Sequence, residues 1–525
     1  MKRIRRILTA VSAAVLIGSM SSMQMTAAAL SETEQYHLGD ISGNGVVDVA
    51  DIIMLQQHLL GLPVEMEVDR VDLGDIDHND VIDIFDLGYL KKMVLGIYTP
   101  EQQDPPPEPK DTTLFDPVTG QFEKSLPNTG TAKMLSVFVE FADVKYSDQK
   151  LPLDTLRQEL YGSGQAGDPY DSITGWYDRA SYGNLRIEGD CVYYTCSGNM
   201  ADYQYYDENG TPMYERTAME VLQGLDEQID FSQYDGDGDG VIDCLTFAVP
   251  LDNASYDDKQ YWWGCTAVWY ENPFFTLDGK RLFNYIIMDQ SPYADTIWTY
   301  KQTVIHELGH CLGLPDYYVY GDGDHYTSSE GFVGDAGFER MDDSIGDFCS
   351  FSKLMLGWMS HDQVQWYEGS GTQTFELSDL STEGSCLILP VSAEPGNTTS
   401  EYFVIEYLTP AANNTEMATY AWYNRPDGVR IFHVDAELFT DMWNRTSFKY
   451  DNFGENYLGS DRFRILRLVN EQEHGPFYRT GNICTFGTTN FAGYDADGYQ
   501  TVNTGYTVTI GEVQNGKCSV TVEKQ

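Results

Sequence analysis

The sequence predicts a multidomain chain. A small α module of two loop–helix repeats comes first, an α/β domain follows, and a β-rich carboxy-terminal domain ends the chain. Three observations predict this. A stretch near the amino terminus repeats itself with a period of 35 residues. An apolar helical pattern around residue 306 is preceded by strand-like runs. From about Ser360 onward the chain turns to short alternating strands separated by polar turns. With 525 residues there is room for two to four domains, and 42% hydrophobic residues allow a large core.

The first 29 residues read as an export signal. Lys2, Arg3, Arg5 and Arg6 precede the apolar run Leu8 to Ile17, and Thr26-Ala27-Ala28-Ala29 offers small residues for cleavage. The run is too short and wrongly flanked for a stable span, so the expectation is a secreted, extracellular protein with a cleaved signal peptide. No later stretch approaches twenty continuous apolar residues. Acids outnumber bases 81 to 32, a net charge of -49. That argues against nucleic acid or an anionic membrane as partner. All nine cysteines lie from Cys191 onward, an odd number that leaves at least one thiol free or paired outside the chain. Cys191 and Cys196 are the candidate pair, and no spacing suits a zinc knuckle.

The repeat spans residues 36–98. Its first copy places Asp40, Ser42, Asn44, Asp48 and Asp51 at loop positions 1, 3, 5, 9 and 12, with the Val46 carbonyl at 7. The second copy places Asp75, Asp77, Asn79, Asp83 and Asp86 in the same way, with Val81 at 7. These are the oxygen-ligand positions of a calcium loop. So many clustered acids and amides would repel and unfold so small a unit without a hard cation. A helix follows each loop, with Ile52, Leu55 and Leu59 matching Leu87, Leu90 and Val94. Position 6 is Gly45 in the first copy and Asp80 in the second, which predicts a weaker second site. Two loop–helix copies without an entering helix resemble a dockerin. The resemblance implies binding to a cohesin module of an extracellular scaffoldin, as in cellulosomes. In that family Val49-Ala50 and Ile84-Phe85 occupy positions that help select the cohesin. Residues 99–111, with Pro105-Pro106-Pro107, form a semi-rigid linker.

From residue 112 to about 360 the composition is that of a globular domain. Met134 to Ala142 reads as a strand. Ser172 to Ile187 begins helical and passes through Gly183 into a strand. Glu215 to Asp226 is an amphipathic helix with Val221, Leu222 and Leu225 inward. Asp235, Asp237, Asp239 and Asp243 take loop positions 1, 3, 5 and 9, with the Val241 carbonyl at 7. Position 12 is Thr246, and Cys244 to Val249 reads as a strand, so this is a calcium loop feeding a strand. Asn284 to Met288 is a strand before the central helix, in a place where strands commonly line a peptidase cleft and pair with extended substrate.

The stretch Val304 to Tyr318 reads V-I-H-E-L-G-H-C-L-G-L-P-D-Y-Y. His306 and His310, four apart, share one helix face and can reach one ion. Glu307 lies between them, placed to act on a water held by that ion, in a His-Glu-x-x-His zinc peptidase pattern. Asp295 is a candidate cap for the helix, and Gly313 its left-handed terminator. Asp316 stands six beyond His310, where the extended metzincin motif has a third histidine. It is either the third ligand or an orienting partner from outside the ligand set. His325, Glu330, Asp335 and Glu339 are the rivals. Met341 is the candidate methionine turn beneath the metal, and Tyr317, Tyr318 and Tyr320 lie near in sequence.

Separated motifs add to this. They are S-Y-G at Ser181 to Gly183, D-F-S-Q-Y-D-G-D-G-D-G from Asp230, and H-E-L-G-H-C-L-G-L-P-D from His306. Further on come F-S-K-L-M-L-G-W ending at Trp358, E-Y-F-V-I-E from Glu401 and G-V-R-I-F-H-V-D ending at Asp435. Over about Met134 to Asp435 the chain resembles the immune inhibitor A family of secreted metallopeptidases. That implies a metzincin-like zinc endopeptidase with a calcium-stabilised catalytic domain. The family usually has a long propeptide where this chain has a dockerin and linker. No cysteine precedes Cys191, which excludes an upstream cysteine switch. Residues 361–525, with strands at Phe403 to Tyr407, Val429 to Val434 and Tyr506 to Ile510, read as a β-sandwich-like domain. His433 and Asp435 read there as structural residues. The function expected is a secreted zinc endopeptidase docked on a polysaccharide-degrading scaffold and acting on protein or peptide. The alternative is a catalytically inactive scaffold-borne binding or adhesion protein.

Overall fold

Apolar positions that recur across the amino-terminal repeats meet in one small core. In the computed structural model Ile41, Leu55, Ile76, Leu87 and Leu90 are buried together, and Ile76 and Leu90 stand one repeat after Ile41 and Leu55. The structure describes residues 38–42, 46–59, 73–74, 76, 82, 87, 90–91, 93–95, 124–164, 170–207, 210–250, 261–269, 275–318, 339–342, 346–382, 384–391, 396–415, 427–440, 446–450, 465–469, 477–485 and 504–524. The expected signal peptide, the linker and Asn44 lie outside these residues. So do Asp75, Asp77, Asn79, Val81, Asp83 and Asp86 of the second loop. The chain divides into two units, Met1–Lys110 and Asp111–Gln525.

In the first unit helix α1 (Val49–Leu59) follows the first loop. Asp51, at loop position 12, is buried, and both its oxygens accept backbone N–H groups, from Ser42 and from Asp48, each at 2.7 Å. One carboxylate thereby closes the loop. Asp40, at loop position 1, is also buried. Val46, Val49 and Ile53 remain 61%, 59% and 50% exposed.

The second unit begins with a five-stranded sheet. Its strands are β1 (Gly130–Glu140), β2 (Leu185–Thr195), β3 (Cys244–Val249), β4 (Cys265–Val268) and β5 (Asn284–Asp289). The spatial order is β2-β1-β3-β5-β4, parallel except for β4, which pairs antiparallel with β5. Strand side chains alternate between faces. Met134, Phe138, Ile187, Ala248, Ile286 and Met288 face one core. Helices α2 (Leu153–Tyr161), α3 (Ile173–Ala180) and α5 (Ile297–Cys311) contribute to that core. Leu135, Val137, Leu245, Phe247, Tyr285 and Ile287 face the other, packed with α4 (Glu215–Leu225). Burial on both faces explains why these strands read as continuous apolar runs.

Two expectations change here. The strand over Asn284–Asp289 lies inside the sheet, its backbone committed to β3 and β4, so it cannot pair with a substrate. Among the described strands, β2 and β4 lie at the edges of this sheet. Cys191 and Cys196 lie five apart along one extended segment, which turns them to opposite faces. Cys191 joins the first core and Cys196 the second, so the two do not pair.

After the short helix α6 (Ser350–Met355) come two further sheets. Their strands are β6 (Val364–Trp366), β7 (Gly371–Ser378), β8 (Cys386–Pro390), β9 (Glu401–Leu408), β10 (Gly428–Asp435), β11 (Leu466–Leu468), β12 (Ile483–Thr485), β13 (Tyr506–Gln514) and β14 (Lys517–Lys524). The orders are β11-β10-β9-β8-β6 and β12-β13-β14-β7. Leu387, Phe403, Ile405 and Ile431 pack against Val508, Ile510, Val520 and Val522 of the other sheet. On the opposite face, Ile388, Tyr402, Val404, Phe432 and Val434 belong to the core that holds α5. The five-stranded sheet is thus a middle layer. Glu406 on β9 fastens it to α6. Its carboxylate accepts from Arg430 Nε at 2.7 Å and from the Ser350 N–H at 2.7 Å, all three residues being buried.

Candidate metal centre

The helix α5 starts with Thr296 as its N-cap residue, so Asp295 is not the cap. Its other end is built as expected around Gly313, which has φ of +97°. The Gly313 N–H donates to the His310 carbonyl at 2.8 Å and the Leu314 N–H to the Gly309 carbonyl at 2.9 Å. This pair of bonds is a Schellman closure. It reverses the chain at once, and three residues later brings Asp316 back beneath the helix.

There Asp316 Oδ1 lies 3.0 Å from His306 Nε2 and 3.2 Å from His310 Nε2. The ligand atoms of these three residues all fall within 4.8 Å of one another. The remaining ring nitrogens face backbone carbonyls. His306 Nδ1 is 3.2 Å from the Arg340 oxygen, and His310 Nδ1 is 2.8 Å from the Leu314 oxygen. Donation from both Nδ1–H groups leaves both Nε2 lone pairs aimed at one point with the carboxylate. Zinc–ligand distances of ~2.0–2.1 Å at a tetrahedral angle separate neighbouring donors by about 3.3 Å. The spacing and the two-imidazole, one-carboxylate donor set fit that ion.

The charges are matched as well. Burial pushes the Asp316 carboxyl up, but hydrogen bonds from His306 and His310 outweigh it and hold it well below the usual range. Burial pulls His310 down, yet its bond to Asp316 and the nearby Glu307 leave it raised to about 9.

Met341 is fully buried and comes under the helix at Gly309. A Cβ on Gly309 would stand 2.4 Å from its sulfur, so this close approach needs glycine. Glu339 turns away from the imidazoles. It accepts from the Cys349 N–H at 3.0 Å, Ser352 Oγ at 2.8 Å and the Met341 N–H at 2.5 Å. It therefore holds the turn that presents the Arg340 carbonyl and Met341. His325, Glu330 and Asp335 lie outside the described residues. Tyr317 is buried, its hydroxyl 3.8 Å from Met355 Sδ. Tyr318 stacks on the His306 ring at 6.4 Å and lines the adjacent cavity, while Tyr320 lies outside the described residues.

That cavity, about 360 Å³, is bordered by Trp263, Gln302, Thr303, His306, Glu307, Tyr318 and Arg340. Glu307 Oε2 lies 2.8 Å from Thr266 Oγ1 on the edge strand β4. The same hydroxyl is 3.0 Å from the Glu307 carbonyl oxygen. Thr266 escaped the sequence reading because it lies 41 residues upstream with no motif around it. His433 pairs with Glu401 at 2.9 Å on the middle sheet, and neither it nor Asp435 joins the imidazole–carboxylate cluster.

A second carboxylate cluster sits in the loop before β3. The ligand atoms of Asp235, Asp237 and Asp239 fall within 4.8 Å of one another. Lys280 Nζ approaches Asp235 Oδ2 at 2.5 Å. Val241 lies in the loop and its N–H donates to Asp239 Oδ1 at 2.7 Å. Asp243 is turned to the loop's base, where Oδ2 accepts from Lys133 N–H at 2.6 Å and Gly236 N–H at 3.0 Å. Asp235 Oδ1 and Asp243 Oδ1 are buried with no hydrogen-bond partner. Two orphaned carboxylate oxygens in an oxygen-lined loop fit a hard cation. Burial raises the Asp243 carboxyl to about 7. Without the cation its ionisation opposes folding, so that contribution to stability is intact below the unfolded value near 3.8 and is lost as pH rises through about 7. In a calcium chelator that spares zinc, the unfolding free energy is expected to fall by roughly 1 kcal/mol from pH 6 to pH 8, and Asp243→Asn to flatten that slope. Thermal melts at both pH values check this; equal slopes in the two proteins refute it.

No family model matches the chain, and no curated protein matches it. Among solved structures it matches catalytically inactive OgpA from Akkermansia muciniphila in complex with an O-glycopeptide (glycodrosocin) substrate. The identity is 12% and the TM-score 0.23, with 62% of this chain and 94% of that chain covered. A likeness of that size bears on neither fold nor function. Among the described residues no helix is long and apolar enough to cross a membrane.

Proposed function

We propose that the second unit is a zinc-dependent endopeptidase of the metzincin-like kind, resembling the immune inhibitor A family. The observation that carries this is the convergence of His306 Nε2, His310 Nε2 and Asp316 Oδ1 on one point, with His306 and Glu307 lining the adjacent cavity. Zinc held there would supply a Lewis acid with a free coordination position. Glu307 takes a proton from the attacking water and returns it to the leaving amine. Thr266 holds one carboxylate oxygen in place, so Glu307 keeps its aim through both transfers. The edge strand β4 offers backbone groups on its free side to an extended polypeptide. The Arg340 and Leu314 carbonyls fix the imidazole tautomers. Calcium in the Asp235–Asp243 loop steadies the start of β3. Hydrolysis of unfolded casein should vanish in 1,10-phenanthroline and return on adding zinc. Hydrolysis that persists in excess chelator would exclude the reading.

The first unit is proposed to dock the enzyme, through a cohesin, onto an extracellular scaffold. The repeat resembles a dockerin, and Val46, Val49 and Ile53 keep apolar surface exposed on and beside α1. Asp40, Ser42, Asp48 and Asp51 are the loop ligands for calcium, with Asn44 and the second loop completing the set. Capture by an immobilised cohesin should need calcium, being lost in EDTA and restored when calcium is returned. Capture that survives EDTA contradicts calcium-dependent docking. Residues 1–29 supply the export signal this assignment requires.

A further inference from the structure

We infer that Trp263 is one wall of a subsite that receives a large apolar side chain of the peptide substrate, an inference that rests on the endopeptidase reading. Tryptophan is normally well buried. Trp262 and Trp269, from the same segment, are 2% and 4% exposed, but Trp263 is 58% exposed and borders the cavity that holds His306 and Glu307. The backbone just after it is anchored twice. Beside it, a Cβ on Gly264 would meet Thr303 Cγ2 at 3.0 Å, so the backbone lies directly on α5 one turn before Glu307. Three residues on, Thr266 bonds Glu307 at 2.8 Å. The backbone that carries the indole is therefore tied to the helix of the reacting centre.

The rest of the wall suits an uncharged group. Gln302 and Thr303 are neutral, and Tyr318 adds a second ring, stacked on His306. The Arg340 guanidinium is directed elsewhere, donating to the Gln302 carbonyl and lying over the Tyr170 and Trp176 rings. Among the described lining residues this leaves Glu307 as the acid, and it is occupied by Thr266 and the proton transfers. A charged substrate side chain finds no partner left over among the described lining residues, whereas an aromatic or long aliphatic one covers the indole and gains from leaving water. An exposed apolar surface next to a reaction centre is where such recognition is expected.

The test uses the full-length, zinc-loaded Glu307→Ala protein, so that peptides bind without being cut. The probes are a blocked alanine–glycine peptide and a set carrying one phenylalanine at successive positions. One phenylalanine position should bind at least about tenfold tighter than the parent. Adding Trp263→Ala should bring that peptide to within about twofold of the parent, and Trp263→Phe should keep most of the preference. Parent-level affinity for every phenylalanine peptide overturns the inference, as does a preference that survives Trp263→Ala. A gain from a hexose-bearing serine, with none from phenylalanine, overturns it in favour of sugar stacking. Hydrolysis of the same peptides by the wild type is read separately. Selective binding without cleavage keeps the subsite and removes the endopeptidase reading.

Discussion

Replacing Glu307 with alanine is expected to lower casein hydrolysis by about 10²–10⁴-fold while zinc content stays at the wild-type level. The two halves of that result come from separate features of the site. The proposed ligands are His306, His310 and Asp316, and the imidazole Nδ1 atoms face the Arg340 and Leu314 carbonyls. Truncating it leaves the donor set in place. The folding cost is also small, because the Thr266 hydroxyl that loses Oε2 still lies 3.0 Å from the residue-307 carbonyl. What is lost is a base that can both accept and return a proton. Metal analysis beside a hydrolysis assay decides the matter. Activity within about tenfold of wild type would exclude Glu307 as the base, and loss of zinc would mark it as a ligand instead.

The parts of this centre that sequence could reveal are those fixed by local geometry. The spacing of His306 and His310 is a helix repeat, and Gly313 follows the last turn where a left-handed closure is needed. Asp316 is legible because it stands six beyond His310, at the third-ligand place of the extended motif. The supporting groups were not legible. The Arg340 carbonyl, Glu339 and Thr266 come from segments whose approach depends on tertiary packing, and their local patterns are those of ordinary loop and strand. Strand β5 shows the same limit. Its apolar run marks a strand, but whether it is central or at an edge depends on where Cys265–Val268 packs. For Cys191 and Cys196 the period-two rule decides against pairing, since an odd separation on an extended segment parts the two thiols. At the carboxy end the strands were readable, and the near-continuous apolar run of β9 carried a further signal. Burial on both faces makes that sheet a shared layer with the core of α5.

Asp316→Asn is expected to weaken zinc binding by more than about 100-fold, with a changed pH dependence. An orienting residue outside the ligand set costs roughly 10–100-fold when removed, so a larger loss separates a ligand from a helper. The pH profile separates them a second time. In the metal-free wild type His310 is raised to about 9, so near neutrality a proton occupies the site and zinc must displace it. Apparent affinity should then rise by up to tenfold per pH unit as pH approaches about 9, and level off above it. Asparagine keeps the shape of Asp316 but not the charge that sustains this proton. With its chief partner gone, burial pulls His310 down and the plateau begins at lower pH. Competition with a chromogenic chelator at several pH values measures both quantities. A loss below about tenfold, with the wild-type profile intact, would place Asp316 outside the ligand set and return the third position to the segment between Tyr318 and Glu339.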